Sequence, residues 1–322
     1  MIILKNESNL ELKFSIVIPL FNKEKHIKRA VNSVLNQSYK EFELIVVDDG
    51  STDQSFSELG KVNDSRIRVV RQKNEGVSSA RNKGIDEAKY DYIGFLDADD
   101  EWNPDFLSCI KGLIESYPKA GAYATSYTIK KVDGSFRKSP CERFFPEKWQ
   151  GILDDYFKYA IVAPIITASS VVIPKFVFRD VGYFPVGINR GEDLVMWIKV
   201  ALDYDIAYYN DSCVTYYHDS DDRACKKKRP LEECAINLAE DTLMNAKNKK
   251  GFSQFFIEYM LKRIYVTASY MIGEGHCKEA RSLLYKYRYT KMNQKYLLRV
   301  YLLSFLPKRL KQFLSWILSK TK

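Results

Sequence analysis

The stretch from Tyr92 to Asp100 reads YIGFLDADD, a short apolar run followed by three closely spaced aspartates. An apolar run of this length is typical of a strand that is buried on both faces of a parallel sheet. Carboxylates crowded at the end of such a strand repel one another, so they are tolerated when a divalent cation or hydrogen-bond donors offset their charge. The stretch therefore predicts a buried strand with a polar site at its carboxyl end.

Three similar runs precede this one, and segments with helical spacing separate them. The runs are FSIVIP (Phe14 to Pro19), FELIVV (Phe42 to Val47) and RIRVV (Arg66 to Val70). Helices are predicted after the first run, where apolar residues recur on one helical face, and over residues 78–88. This alternation indicates an α/β fold with a mainly parallel sheet and helices on both faces.

The pattern weakens beyond Trp102. The elements predicted there are strands over residues 168–173, 206–209 and 213–217, a helix over residues 192–202, and a helical hairpin over residues 255–285 that turns about Gly273 and Gly275. From Leu231 onward only helical periodicity is visible. With 322 residues, of which 46% are hydrophobic, the chain should form one large domain over residues 1–222 and a helical C-terminal extension over residues 223–322.

Basic residues are concentrated in the extension. Residues 223–322 contain 22 Lys and Arg against 7 Asp and Glu, a formal charge of +15, whereas residues 1–222 contain 28 against 34. The net charge of +9 therefore arises from the extension alone. An excess of this kind favours an anionic partner, either a lipid surface or a nucleic acid.

Cysteine usage and hydropathy indicate the compartment. The chain has 6 cysteines without CxxC spacing, which argues against a zinc site and against a disulfide framework. The N-terminal residues are too charged for a signal peptide, and no run approaches the roughly 18 apolar residues of a membrane span. We expect a cytoplasmic protein, either free or peripheral at the inner face of the plasma membrane.

A second acidic pair, Asp48 and Asp49, follows the run FELIVV in the segment DDGSTD. Ligand sites of open α/β sheets lie at the carboxyl ends of the strands, so both acidic clusters should face one edge if their strands are near neighbours. A solvated turn explains DDGSTD equally well, but the three aspartates of LDADD exceed what a turn requires. Mg²⁺ or Mn²⁺ would fit there, since one or two carboxylates and a substrate diphosphate complete such a site.

Six segments resemble the family 2 glycosyltransferases, which are inverting enzymes with the GT-A nucleotide-diphospho-sugar fold. They are SIVIPLFN (15–22), SVLNQSY (33–39), FELIVVDDGSTD (42–53), NEGVSSARNKGI (74–85), YIGFLDADD (92–100) and VGYFPVGINRGEDLVMWIKV (181–200). They occur in the family's order and at its spacing. The resemblance implies a Rossmann-like GT-A catalytic domain, with a nucleotide-sugar half over about residues 14–100 and an acceptor half over about residues 101–222.

The resemblance also implies a binding site for a UDP-sugar donor. Its residues would be Pro19, Leu20, Phe21, Asn22, Asp48, Asp49, Arg81, Asp97, Ala98 and Asp99. Asp49 would accept a hydrogen bond from the uracil ring N–H, a donor that cytosine lacks, and Asp48 would support the loop. Asp99 would bind the metal and Asp97 a sugar hydroxyl, although these two roles can be exchanged. Arg81 would lie near the base or the diphosphate, unless it is an ordinary helix-surface arginine.

The catalytic base is implied in the same way. Asp193, with Glu192 beside it, would take the proton of an acceptor hydroxyl that attacks the anomeric carbon from the face opposite the leaving diphosphate. Without the resemblance, both are simply acidic residues that the helix dipole favours in a first turn. His218 would contact the diphosphate or serve as a further metal ligand, and a hydrogen-bonded structural histidine is the alternative.

The C-terminal segment from Phe305 to Lys322 predicts a basic amphipathic helix, with apolar residues on one face and lysines near both ends. Such a helix fits an anionic membrane surface, where a glycan or lipid-linked acceptor of bacterial envelope, capsule or exopolysaccharide synthesis would be found. An ordinary packed helix and a helix that forms an oligomer are the alternatives.

Two other functions compete with a transferase. Haloacid-dehalogenase-like phosphatases also place a DxD pair at a strand end, but they need Thr or Val where this chain has Glu101. A binding module for membranes or nucleic acids would use the basic extension. No stacking sheet or recognition helix accompanies the tyrosines of that extension, so we do not expect a nucleic acid as partner.

Overall fold

The computed structural model describes residues 11–218, 230–307 and 310, which form two compact units. The first unit comprises residues 11–154, 165–187 and 204–218, and the second comprises residues 155–164, 188–203 and the described residues from 230 onward. Two segments that precede residue 222 thus group with the C-terminal residues. The domain boundary at residue 222 stays a prediction.

The strands belong to the first unit. They are β1 (Phe14–Leu20), β2 (Phe42–Asp48), β3 (Ile67–Arg71), β4 (Tyr92–Phe95), β5 (Glu101–Trp102), β6 (Ala122–Lys130), β7 (Phe136–Lys138), β8 (Gln150–Ile152), β9 (Val171–Pro174) and β10 (Ile206–Tyr217). The helices of the chain are α1 (Ile27–Leu35), α2 (Ser55–Leu59), α3 (Val77–Glu87), α4 (Phe106–Ser116), α5 (Tyr156–Ala160), α6 (Lys175–Val181), α7 (Glu192–Asp203), α8 (Ala239–Asn245), α9 (Gln254–Glu274), α10 (Cys277–Lys286) and α11 (Gln294–Leu303). Of these helices, α5 and α7 to α11 lie in the second unit.

The strands form one sheet in the order β3-β2-β1-β4-β9-β6-β10-β5, with β7 beside β6 and β8 beside β10. The first four strands are parallel, as are β6 and β10. β9 runs antiparallel to both β4 and β6 and so joins the two parallel parts. The predicted α/β fold is confirmed, and its sheet is parallel where the acidic clusters occur.

Helices cover both faces of β1, which is why this strand is apolar along its whole length. Phe14, Ile16 and Ile18 share one apolar cluster with residues of α1 and α4. On the other face, α3 approaches so closely that a Cβ at Gly84 would lie 2.2 Å from Val17 Cγ1. Glycine is therefore required at this point of α3 for close packing on the sheet.

Replacing Gly84 by alanine should destabilise the protein by about 1–3 kcal/mol, because the added methyl group forces α3 and β1 apart. Gly112 in α4 is the matched control. A Cβ there meets no atom within 4 Å, so alanine should instead add up to about 1 kcal/mol through its higher helix propensity. Urea unfolding of both variants measures the free energies. Equal stability of the two variants would contradict the packing described.

Two predicted strand patterns differ from the structure. Residues 168–170 form a 3-10 turn, and the strand begins only at Val171. The strands predicted over residues 206–209 and 213–217 are one strand, β10, whose pairing with β6 shifts register between Tyr209 and Val214. This irregularity accommodates the polar residues 210–212, which had suggested a break.

The second unit is helical. Its helices α9 and α10 form the predicted hairpin, which turns at Gly275 with a φ of 100°. Among the described helices, none is long and apolar enough to cross a membrane. The helix predicted from Phe305 to Lys322 lies largely outside the described residues.

Candidate active site

The carboxyl ends of β2, β1 and β4 form one edge of the sheet, and both acidic clusters follow strands of this edge. β1 pairs with β2 on one side and with β4 on the other. Asp48 is the last residue of β2, and the next residue, Asp49, donates its N–H to the carbonyl of Leu20 at 2.8 Å. Asp97 and Asp99 come directly after β4. The strand arrangement on which their convergence depends is confirmed.

The aspartates that follow β4 are paired with cations of the same unit. Lys23 Nζ lies 2.6 Å from Asp99 Oδ2, and Arg81 Nη2 lies 2.8 Å from Asp97 Oδ1. The Arg81 side chain is buried, whereas those of Asp97 and Asp99 are 30% and 18% exposed. Both carboxylates therefore keep an accessible side while internal cations offset their repulsion.

Asp100 is buried and ties the loop after β4 to the end of β10. Its Oδ2 accepts a hydrogen bond from Ser169 Oγ at 2.5 Å, and its Oδ1 accepts one from the Tyr217 N–H at 3.1 Å. Ser169 Oγ in turn accepts from the Asp97 N–H at 3.1 Å. Burial raises the pKa of Asp100 well above its usual range, and the charges of Asp99 and Asp97 raise it further. Asp100 is therefore a positioning residue for the acidic loop.

Asp49 is buried and holds the loop that precedes α3. Its Oδ1 accepts hydrogen bonds from Gln72 Nε2 at 2.8 Å and from the Glu75 N–H at 2.9 Å. Its Oδ2 accepts from the Gly76 N–H at 2.9 Å. A carboxylate oxygen has two lone pairs, so Oδ2 retains the capacity to accept a second hydrogen bond.

Asp48 and Asn22 fix the segment that follows β2. Asp48 accepts hydrogen bonds from the Ser51 N–H at 3.0 Å and from Arg71 Nε at 2.9 Å. Asn22 Oδ1 accepts from the Thr52 N–H at 2.8 Å. Asn22 has a φ of 51°, a conformation that asparagine adopts more readily than most residues. These contacts hold the segment in place, and the role of Asp48 in a donor site stays a prediction.

The remaining residues predicted for the donor site lie at the end of β1 and in the loops that follow β1 and β4. Pro19 and Leu20 end β1 and are buried, and Phe21 immediately after them is 43% exposed. Ala98 is buried between the two aspartates of the DxD pair. Phe21 is thus the predicted donor-site residue with the largest exposed apolar surface, suited to contact a planar base.

His218 directly follows β10. Its N–H donates to the Lys130 carbonyl at 2.8 Å, and its ring packs edge-on against Tyr216 with the centroids 5.2 Å apart. In the part of the chain that the structure describes, no three His, Cys, Asp or Glu side chains are grouped so that they could hold a metal. Asp97, Asp99 and His218 are therefore not a preformed three-ligand site. The two carboxylates nevertheless fit Mg²⁺ or Mn²⁺, which take oxygen ligands and complete their shell with phosphate and water.

The predicted base residues belong to the second unit, where Glu192 and Asp193 form the first turn of α7. Asp193 Oδ1 accepts a hydrogen bond from the Leu194 N–H at 2.8 Å. Burial raises the pKa of Tyr259 in α9, and the charge of Asp193 contributes to the rise. Asp193 therefore lies within electrostatic range of that tyrosine, and its role as base stays a prediction.

Three residues that contact the aspartates after β4 were not predicted from the sequence. They are Lys23, Arg29 and Ser169. Arg29 Nη2 donates to the Asp99 carbonyl at 2.5 Å, and its guanidinium stacks 3.4 Å from the Tyr217 ring centroid. Lys23 adjoins Asn22, so its place beside a predicted site residue was the available signal. Its partner Asp99 is 76 positions away, and no local pattern indicates that contact.

A model of the family described as glycosyl transferase family 2 matches residues 15–182. An uncharacterized glycosyltransferase of Rickettsia felis is 34% identical over 193 residues, which cover 59% of this chain and 30% of that protein. The putative teichuronic acid biosynthesis glycosyltransferase TuaG of Bacillus subtilis is 31% identical over 208 residues, 63% of this chain and 77% of TuaG. The chain spans only 30% of the length of the Rickettsia felis protein, and it spans 30% and 36% of the glycosyltransferases of Rickettsia conorii and Rickettsia bellii that it also matches.

A solved structure shares the fold. The crystal structure of S. aureus TarS 1-349 in complex with UDP-GlcNAc matches with a TM-score of 0.65 and 21% identity, covering 79% of this chain and 72% of that one. The same TarS region in complex with UDP gives a TM-score of 0.63. At this level of identity the likeness extends to the fold alone.

Proposed function

Because the chain belongs to glycosyl transferase family 2, we propose that it is an inverting, metal-dependent glycosyltransferase that moves a sugar from a UDP-sugar to a glycan or lipid-linked acceptor. The carboxylates at the ends of β2 and β4, on either side of β1, are the observation that carries the proposal. The UDP-GlcNAc in the TarS complex supports a UDP-sugar as donor. TuaG, named for teichuronic acid biosynthesis, supports a role in bacterial envelope, capsule or exopolysaccharide synthesis.

The donor would lie along the edge formed by β2, β1 and β4. Asp49 Oδ2, which already accepts from the Gly76 N–H, would accept a second hydrogen bond from the uracil ring N–H. Phe21 would contact the base, and Asp97 would bind the ribose. Arg81, paired with Asp97, would orient that carboxylate and would add positive charge near the diphosphate.

Asp99, assisted by Asp97 and by His218, would hold Mg²⁺ or Mn²⁺. When bound, the ion offsets the negative charge that develops on the leaving diphosphate. Lys23 Nζ lies 2.6 Å from Asp99 Oδ2, so the ammonium and a divalent cation would compete for this carboxylate. Once displaced, the Lys23 ammonium would be available to the diphosphate.

Replacing Lys23 by alanine should therefore tighten manganese binding in the absence of nucleotide. A partly exposed ion pair is worth about 1 kcal/mol or less, so the dissociation constant should fall by up to about fivefold. Electron paramagnetic resonance of free Mn²⁺ measures this constant directly. Lys25→Ala is the control, because Lys25 is exposed and carries the same charge in the same loop. An equal change in both variants would indicate a general charge effect and contradict direct competition.

Asp193 would act as the base, with Glu192 as the alternative. Asp193 would take the proton of the acceptor hydroxyl while that oxygen bonds to the anomeric carbon. The bond from that carbon to the diphosphate breaks on the opposite face, and its electron pair leaves with UDP. The product consequently has the inverted configuration.

A donor screen tests this proposal. UDP release is measured for a set of UDP-sugars with manganese and with a chelator, and hydrolysis of p-nitrophenyl phosphate is measured in parallel. We expect release of UDP from at least one donor, and only when the metal is present. Phosphate ester hydrolysis without UDP release from any donor would reject the transferase in favour of a phosphatase.

A further inference from the structure

Helix α11 directs apolar side chains outward. Leu298, Leu302 and Phe305 are 58%, 56% and 59% exposed, whereas Val300 and Ser304 are buried. Leu298 and Leu302 are four positions apart in α11 and so share one helical face, and Phe305 lies in the turn that follows the helix. The helix has a buried apolar side that includes Val300, as an ordinary surface helix does, and it exposes these further apolar residues as well.

Cations border this apolar face. Lys291, Lys295 and Arg299 are exposed and follow one another at intervals of four residues. No Asp or Glu occurs after Glu279 in the sequence. Among the described residues, none of these three cations is in an ion pair. Their charges are therefore available to an anionic partner.

The face is held firmly by its own unit. Glu258 in α9 is buried and accepts hydrogen bonds from the Lys291 N–H at 2.6 Å and from Asn293 Nδ2 at 2.9 Å. It also accepts from Thr290 Oγ1. The start of α11 is thus fixed by backbone and buried polar groups that do not include the exposed side chains. Substitutions on the face should leave this support intact.

We propose that the face formed by Leu298, Leu302 and Phe305, with Lys291, Lys295 and Arg299 beside it, docks onto an anionic membrane. Apolar side chains gain free energy by leaving water for the acyl boundary, and lysine and arginine gain by meeting anionic headgroups. A nucleic acid would pair with the cations but would leave the two leucines in water. The proposal extends the proposed function, because a lipid-linked acceptor would be located at that surface.

Two other partners could cover this face, namely residues 308–322 of the same chain and a second copy of the chain. The charge of each argues against it. Residues 308–322 contain five Lys and Arg and no Asp or Glu, so this segment would add positive charge beside Lys291, Lys295 and Arg299. A second copy of the chain would bring the same cations to the interface. An anionic lipid surface is the partner whose charge and apolar layer both match.

Vesicle flotation tests the proposal with the full chain and without donor or acceptor. The vesicles contain phosphatidylcholine either alone or with 30% phosphatidylglycerol, on the order of the anionic content that supports electrostatic binding. The triple variant Lys291→Gln, Lys295→Gln, Arg299→Gln should bind the anionic vesicles on the order of 100-fold more weakly, since each cation contributes about a factor of five. The triple variant Leu298→Ser, Leu302→Ser, Phe305→Ser should bind at least about tenfold more weakly.

Matched controls come from the first unit. Lys40, Lys119 and Lys131 are exposed, so changing all three to Gln removes the same charge elsewhere. Val132 (75%) and Phe136 (62%) are also exposed, so Val132→Ser with Phe136→Ser removes two exposed apolar side chains outside the proposed face. These controls should bind as the wild type does. UDP release with a short soluble acceptor should also stay at the wild-type rate in the α11 variants, which separates failure of this proposal from failure of the transferase.

Three results would overturn the inference. One is wild-type vesicle binding in both α11 variants. Another is binding that disappears on deletion of residues 311–322 but is unchanged by the α11 substitutions, which would assign the membrane contact to that segment. The third is tighter binding to nucleic acid than to anionic vesicles at the same ionic strength.

Discussion

The substitution Asp99→Asn should lower the rate of UDP release by on the order of 100- to 1000-fold. A loss of this size follows when a group that stabilises the charge on the leaving diphosphate is removed. The substitution keeps the size of the side chain and removes the charge that would hold the cation. It should also weaken the metal-dependent part of UDP binding, because fewer oxygens remain for the ion. Steady-state UDP release and calorimetric titration of UDP, each with and without manganese, measure both effects.

Asp91→Asn is the control for this variant. Asp91 precedes β4, whereas Asp99 follows it, so the same change in charge is made at the opposite end of one strand. Asp91 is exposed, and its variant should keep the wild-type rate. A thermal melt of both variants checks that loss of the partner of Lys23 has not unfolded the loop. Equal activity of the two variants would remove Asp99 from the mechanism.

The substitution Asp193→Asn should reduce the rate of sugar transfer by about 100- to 10,000-fold, which is the usual contribution of a general base. The affinity for UDP in the presence of manganese should stay close to that of the wild type. Asparagine accepts hydrogen bonds but cannot take a proton at neutral pH. An acid in the first turn of α7 also stabilises the helix, but only by about 0.3–1 kcal/mol. A purely structural role therefore predicts a small loss of stability and nearly normal transfer.

Glu192→Gln is the matched variant, because it removes the same charge from the adjacent position of α7. Its transfer rate should fall far less than that of Asp193→Asn. The acid limb of the pH–rate profile should disappear in the Asp193 variant and persist in the Glu192 variant. The reverse pattern would assign the base to Glu192, and normal rates in both variants would place the base outside this turn.

The sequence predicts the first half of the fold well because its strands are unbroken apolar runs. β1, β2 and β4 were located from their apolar runs, which occur because these strands are largely buried. β6 was missed because its sequence AYATSYTIK mixes small and hydroxyl residues, although most of the strand is buried. The grouping of residues 155–164 and 188–203 with the C-terminal residues depends on tertiary contacts that no local pattern reports.

The acidic clusters of the candidate site could be predicted from the sequence, but the side-chain contacts that hold them could not. Clustered aspartates at strand ends stand out in a sequence, and the strand order supports their common edge. The ion pairs between Lys23 and Asp99 and between Arg81 and Asp97 could not be predicted, because long side chains can turn towards many partners. The link from Asp100 through Ser169 joins residues 69 positions apart and depends on the placement of β9 next to β4.

A crystal structure with UDP and manganese, with the ion located by its anomalous scattering, would show directly whether the donor and the ion bind at the carboxyl ends of β2, β1 and β4. We expect manganese in contact with the Asp99 carboxylate and the diphosphate, Lys23 withdrawn from that carboxylate, and the uracil ring N–H bound to Asp49. Manganese at another place, or UDP bound away from the edge formed by β2, β1 and β4, would contradict this expectation.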